Sequence, residues 1–255
     1  MPIFSYDLNK TWNSYCGVAP EPAELMSRWN FDPFLLFGFG VVLVISWQLL
    51  RRTESKVRRP YAMVIAYAVC ALIFISPLCA LASALFSVRV SHHVLLVGVI
   101  APLLVFAFDR PRAVRPGVAM LTALTHTIVF WAWHFPPVYE AALTTNLNYW
   151  LMQVTMAGSA AYVWYATRAS SVPIAIAVLL FTTLQMGLLG ALLTFAPEPV
   201  FAPHLFTTEA WGLSSLEDQQ LGGAIMWVVG SGLYLAAALV ICSKLFYFKA
   251  RVAKC

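Results

Sequence analysis

Five histidines, one carboxylate and three thioethers are the side chains in this sequence whose types and spacing could do chemistry. His92 and His93 are adjacent, His126 and His134 are eight residues apart, and His204 stands alone before the cluster Glu217, Asp218, Gln219 and Gln220. Met152 and Met156 have the i, i+4 spacing that shares a helix face, and Met226 follows the acidic cluster by two turns. Imidazole with thioether is a soft donor set that suits Cu(I) better than Mg²⁺ or Ca²⁺. The same imidazoles could instead hold haem or relay protons. Each residue also has a plainer reading: a hydrogen-bonded histidine, or a methionine that fills a gap in a core. Adjacent residues on a helix point ~100° apart, so His92 and His93 are not expected to face one site together.

These side chains must be positioned by membrane helices. Of 255 residues, 61% are hydrophobic and 11% charged, against roughly 25% charged in soluble domains. Seven apolar segments approach the ~20 residues that cross a bilayer: about 33–50, 61–84 (interrupted at Ser76–Pro77), 92–108, 117–134, 148–167, 173–195 and 221–246. The expected architecture is an all-α integral membrane protein of seven transmembrane helices. Residues 1–32 form an N-terminal tail, 33–248 the membrane domain and 249–255 a basic tail.

Charge orients the bundle. Thirteen of the sixteen basic residues fall in Arg51–Arg59, Arg110–Arg115, Arg168 and Lys244–Lys254, all on one side of a seven-span chain. Only Lys10, Arg28 and Arg89 fall on the other. The crowded side is cytoplasmic by the positive-inside rule, so the N-terminus is expected outside and the C-terminus inside. His92 and His93 then open the third span at its outer end, and His134 closes the fourth at the same level. His126 lies ~12 Å deeper than His134 by helical rise. His204 and the acidic cluster belong to the outer layer. Gly222 and Gly223 remove side chains where the last span begins, which invites close helix contact. They are expected to hold Glu217 and Asp218 against the third and fourth spans, with Arg89 as charge partner for one carboxylate.

Several classes are excluded or disfavoured. No GxSxG, Walker loop or HExxH occurs, so nothing suggests an enzyme. No basic stretch interleaved with aromatics offers a nucleic-acid surface. The five cysteines include no CxxC, and Cys70, Cys79 and Cys242 read as small core residues, so no disulfide framework is expected.

Six stretches carry a family resemblance: SPL (76–78), HHVLLVGVIAPLL (92–104), WAWHFPPVYEAAL (131–143), YWLMQ (149–153), GLLGALLTFAPEPVFAPH (187–204) and WGLSSLEDQQLGGAIMW (211–227). In these the chain resembles the polytopic CtaG family of cytochrome c oxidase assembly proteins, distinct from the single-span cupredoxin-like factor of the same name. The resemblance implies a multi-pass protein of the bacterial cytoplasmic (inner) membrane that helps mature a haem–copper oxidase, with copper as cargo. It points to His93, His134, His204 and Asp218. It also implies a histidine four residues before His93, where this chain has Arg89. The reading drawn is an assembly factor that binds copper, as Cu(I), at its outer face. His93, His134, His92, His126, His204, Asp218, Met152, Met156 and Met226 are the candidate donors. The oxidase subunit carrying the buried copper, a copper donor protein and the lipid bilayer are the expected partners, with no nucleic acid. The alternatives are a haem-binding or proton-relaying redox protein and a metal-free scaffold.

Overall fold

The computed structural model describes residues 12, 15–51, 58–108 and 112–252. Lys10, Arg52, Lys56, Arg110, Lys254 and most of the N-terminal tail, which entered the charge argument, lie outside the described residues. All regular elements among those described are helical. Helices α1 (Pro33–Arg51) and α2 (Arg58–Phe74) are followed by the short α3 (Leu78–Ala84). Then α4 (Phe86–Leu95) continues through a π turn at Leu96–Ile100 into α5 (Ala101–Phe108). The long α6 (Pro116–His134) precedes the short α7 (Pro136–Ala142), and α8 (Asn146–Ala169) and α9 (Val172–Thr194) complete the middle of the chain. Last, α10 (Ser215–Ala224) runs through a second π turn, Ile225–Gly230, into α11 (Ser231–Val252).

Among the described residues, four helical stretches are long and apolar enough to cross a membrane: Pro33–Arg51, Phe86–Ala107, Val172–Thr194 and Ser215–Lys244. The count rises to six if α2 with α3 (bent 47°) and α6 with α7 (bent 79°) are each one span. The remaining expected segment, α8, has 24 residues but carries Asn146, Asn148, Gln153 and Arg168, which dilute its hydropathy.

Local chemistry explains the boundaries. Proline stands in the first turn of α6, α7 and α9, where its missing N–H costs nothing. The side chain of Thr145 caps α8 by accepting from the Asn148 amide at 3.2 Å. Ser214 and Glu217 form a reciprocal capping box that starts α10. Glu217 is thereby committed to its own helix end and is not held against the neighbouring spans, contrary to the expectation.

The third span begins earlier than the hydropathy suggests. The chain breaks at Leu85, which is extended (φ −120°, ψ 125°), and α4 starts at Phe86. His92 and His93 therefore sit about 9–10 Å inside this helix rather than at its mouth. Ser87, Arg89 and Ser91 hid that first turn from an apolar count.

The double glycine does pack as expected. A Cβ on Gly222 would lie 2.7 Å from the Phe86 ring, and one on Gly223 would lie 2.6 Å from the backbone nitrogen of Thr194. Gly190 of α9 is equally tight against Trp227 and Gly223. Helices α4, α9 and α10 thus meet nearly backbone to backbone. The π turn after His93 leaves the Val97 carbonyl free to accept from Trp164 Nε1 at 2.9 Å and the Tyr234 hydroxyl at 3.4 Å. Those two rings stack at 5.1 Å, which locks α8 and α11 to the middle of the third span.

In contrast, α1 stands at the periphery. Phe34, Phe37, Val42, Val44 and Trp47 are exposed, and a cleft of about 760 Å³ separates α1 from α2, α5 and the start of α8.

The expectation of no disulfide is overturned as well. Cys16 and Cys79 form a disulfide, with Cα atoms 5.3 Å apart and 63 residues of separation. It ties the N-terminal segment to α3. Spacing alone does not reveal such a pair, because only the folded chain brings residue 16 over the break between α2 and α3.

Candidate functional site

His93 and His134 meet. Nδ1 of His93 on α4 lies 3.4 Å from Nε2 of His134, the last residue of α6, and the rings are perpendicular with centroids 5.3 Å apart. Both side chains are buried. Nδ1 of His134 is 2.7 Å from the Phe130 carbonyl, which can only accept, so that nitrogen carries the proton. The Nε2 facing His93 is then the lone-pair nitrogen. A ligating histidine ordinarily donates its other N–H to a carbonyl or carboxylate in this way. Two imidazole nitrogens at ~2.0–2.1 Å from one tetrahedral ion stand about 3.4 Å apart, so the pair fits a metal as well as it fits an N–H···N hydrogen bond. The other nitrogen of His93, Nε2, has no partner.

The remaining candidates do not join this pair. Among the described residues, no three His, Cys, Asp or Glu side chains stand close enough to hold one ion. His92 points away from its neighbour, edge-on to Phe74 with ring centroids 4.7 Å apart, and both its nitrogens are unpaired. Gln153 stands beside it, close enough for its amide to interact with the ring. His126, deeper on α6, uses Nδ1 with the Ser159 hydroxyl at 2.9 Å. His204 has both nitrogens occupied: Nδ1 donates to the Ala84 carbonyl at 3.2 Å, and Nε2 accepts from the Tyr139 hydroxyl at 2.6 Å. Burial and the nearby Arg89 charge push His204 down to about 3, so it stays neutral and stitches the loop between α9 and α10 to α3 and α7. Met152, Met156 and Met226 are completely buried in the apolar core.

Asp218 has another engagement. One oxygen accepts from the Phe86 amide at 2.6 Å, and the other from the Ser87 amide at 3.1 Å and the Ser87 hydroxyl at 2.5 Å. A carboxylate from α10 thus caps the N-terminus of α4, satisfying amides that have no partner within their own helix. This carboxylate positions the helix that carries His93.

Arg89 completes the surroundings. It is fully buried on α4, one turn before His92 and His93, and Asp218 is not its partner. Its guanidinium carbon lies 5.5 Å from the centre of the Tyr149 ring. The hydroxyls of Tyr139 and Tyr149 stand close enough to the guanidinium to interact with it, but none of its three nitrogens reaches hydrogen-bond geometry. Arg89 is the lone cation expected near the site, but it is not paired with a carboxylate as expected. Tyr139 and Tyr149 were not foreseen, since a tyrosine in an apolar helix gives no sign in the sequence of which charge it will meet.

Comparison with known proteins adds one match. A family model described as cytochrome c oxidase caa3 assembly factor matches residues 40–247. No curated protein and no solved structure matches the chain.

Proposed function

Since the chain belongs to the family of cytochrome c oxidase caa3 assembly factors, we propose that it carries copper to the oxidase through the His93–His134 pair at its extracytoplasmic side. The observation that supports this reading is the facing of two imidazole nitrogens at 3.4 Å, one of them oriented by a backbone carbonyl. Neutral imidazoles suit Cu(I), and two of them leave coordination positions open. An incoming histidine of the oxidase subunit that houses the buried copper can add to the ion before His93 and His134 let go. Transfer then proceeds by ligand exchange, with no energy source required. The buried thioethers of Met152, Met156 and Met226 are the soft donors in reserve, and His126 offers a deeper second station. The partners in this reading are the oxidase subunit, a copper donor protein and the lipid bilayer of the bacterial inner membrane.

The proposal includes seven crossings, with α8 as the fifth, the N-terminus outside and the C-terminus inside. The basic asymmetry supports this orientation. So does the Cys16–Cys79 disulfide, because such bonds persist in oxidising compartments outside the cytoplasm. A cysteine introduced in the loop 198–209 should react with an impermeant maleimide in intact spheroplasts. Labelling only after lysis would overturn the orientation and the site with it.

The direct test is metal content. Purified protein loaded with Cu(I) under reducing conditions should retain about one equivalent through desalting, and His93→Ala and His134→Ala should each lower affinity by on the order of 10–100-fold or more. Equal retention by wild type and both variants would remove the ligand assignment. A Soret band in the protein as isolated would instead identify the pair as haem ligands.

A further inference from the structure

Beyond the histidine pair, the outer half of the bundle holds a second group of unused polar atoms. By hydrogen-bond geometry Arg89 contributes three unpaired guanidinium nitrogens, with the Tyr139 and Tyr149 hydroxyls close by, and His92 and Gln153, which stand beside each other, contribute both ring nitrogens and both side-chain amide atoms. All three residues are nearly or wholly inaccessible to solvent, with Arg89 at 0%, His92 at 3% and Gln153 at 2%. The walls are the aromatic rings of Tyr149, Tyr139 and Phe74. A permanently charged guanidinium is present, and no Asp or Glu oxygen bonds to it among the described residues. Asp218 of α10, which caps the end of α4 that carries Arg89, is saturated by the Phe86 and Ser87 donors.

A buried, unpaired cation is one of the costliest arrangements a fold can contain, and arginine does not escape it by losing its proton. Water can occupy the donors but brings no countercharge. We propose that Arg89 is the centre of a binding site for a small monovalent anion of the chloride class, held by the guanidinium and by donors from Gln153 and the Tyr149 hydroxyl. The planar five-donor fork of arginine suits an anion approaching along its edge, and Gln153 can turn its amide N–H group toward it. Access is from the outer face, since Arg89 lies in the first turn of α4, beneath α7 and the segment around Cys16. The Cys16 sulfur is 3.7 Å from the Tyr149 hydroxyl, so the disulfide-tethered segment forms the roof. A negative ion here also removes the repulsion that Arg89 would exert on a cation held by His93, four residues away.

The test uses the full chain in detergent, purified free of metal, so its outcome does not depend on copper. Thermal unfolding is followed at constant ionic strength while chloride replaces isethionate, an anion too large for the site. The wild type should gain stability saturably, by roughly 3–6 °C at ten times the dissociation constant. Arg89→Gln should lose the chloride dependence while keeping a polar side chain. An unchanged melting temperature in the wild type overturns the site, and so does an equal chloride effect in Arg89→Gln. Should Arg89→Gln fail to fold, bromide soaked into wild-type crystals and located at its absorption edge decides the matter. A peak within hydrogen-bonding distance of the guanidinium supports the proposal, and a peak elsewhere, or none, overturns it.

Discussion

Strains carrying His93→Ala or His134→Ala at matched protein level should assemble cytochrome c oxidase containing about a tenth or less of the normal copper. The reasoning follows from ligand number. Loss of a mere outer-shell partner costs metal sites 10–100-fold in affinity. Removing one of only two facing imidazoles costs at least that, because no third His, Cys, Asp or Glu among the described residues can take its place. The two variants together should be no worse than either alone, since a single remaining imidazole already fails to hold the ion. His204→Ala should retain most copper delivery, because both nitrogens of His204 serve the loop. His126→Ala should fall between, as expected for a station deeper in the bundle. Oxidase copper measured by elemental analysis, against haem as an internal standard, reads the outcome. Full copper loading with both His93 and His134 replaced would sink the assignment and leave a metal-free scaffold as the reading.

Asp218→Ala should destabilise the metal-free protein, lowering its melting temperature by roughly 6–12 °C if the loss is a few kcal/mol. The carboxylate accepts two backbone amides and one hydroxyl in a buried setting. Each buried donor left without a partner costs ~1–3 kcal/mol, and the amides of Phe86 and Ser87 have no alternative acceptor in their own helix. Asp218→Asn should be intermediate, since its carbonyl oxygen replaces one acceptor while its NH₂ group faces the other donor. Ser87→Ala should be the mildest, because it removes only the hydroxyl. A ligand-only role predicts the opposite pattern: unchanged stability without metal, and a deficit that appears only in copper binding. Unfolding of the purified, metal-stripped variants separates the two.

Both predictions concern residues that were conspicuous in the sequence, yet their roles were legible to different degrees. His93 and His134 could be matched because each lies in a strongly apolar helical stretch whose place in the chain is plain from composition. The strongly apolar helices α1, α6 and α9 were bounded to within a residue or two for the same reason. The start of α4 was not. Its first turn is polar, and what makes it helical is a carboxylate more than a hundred residues away. The polar helix α8 likewise reads weakly by hydropathy although it spans 24 residues.

What the sequence determined by itself was therefore composition: an all-helical chain, the bounds of its most apolar helices, and two glycines that let helices touch. Partnership was decided only by the tertiary structure. The Cys16–Cys79 disulfide, the cap that Asp218 places on Phe86 and Ser87, and the contact of Arg89 with the Tyr149 ring each join elements far apart in the chain. Hydrogen bonds and charges act over a few ångströms between atoms, and separation along the sequence carries no record of which atoms the bundle will bring that close.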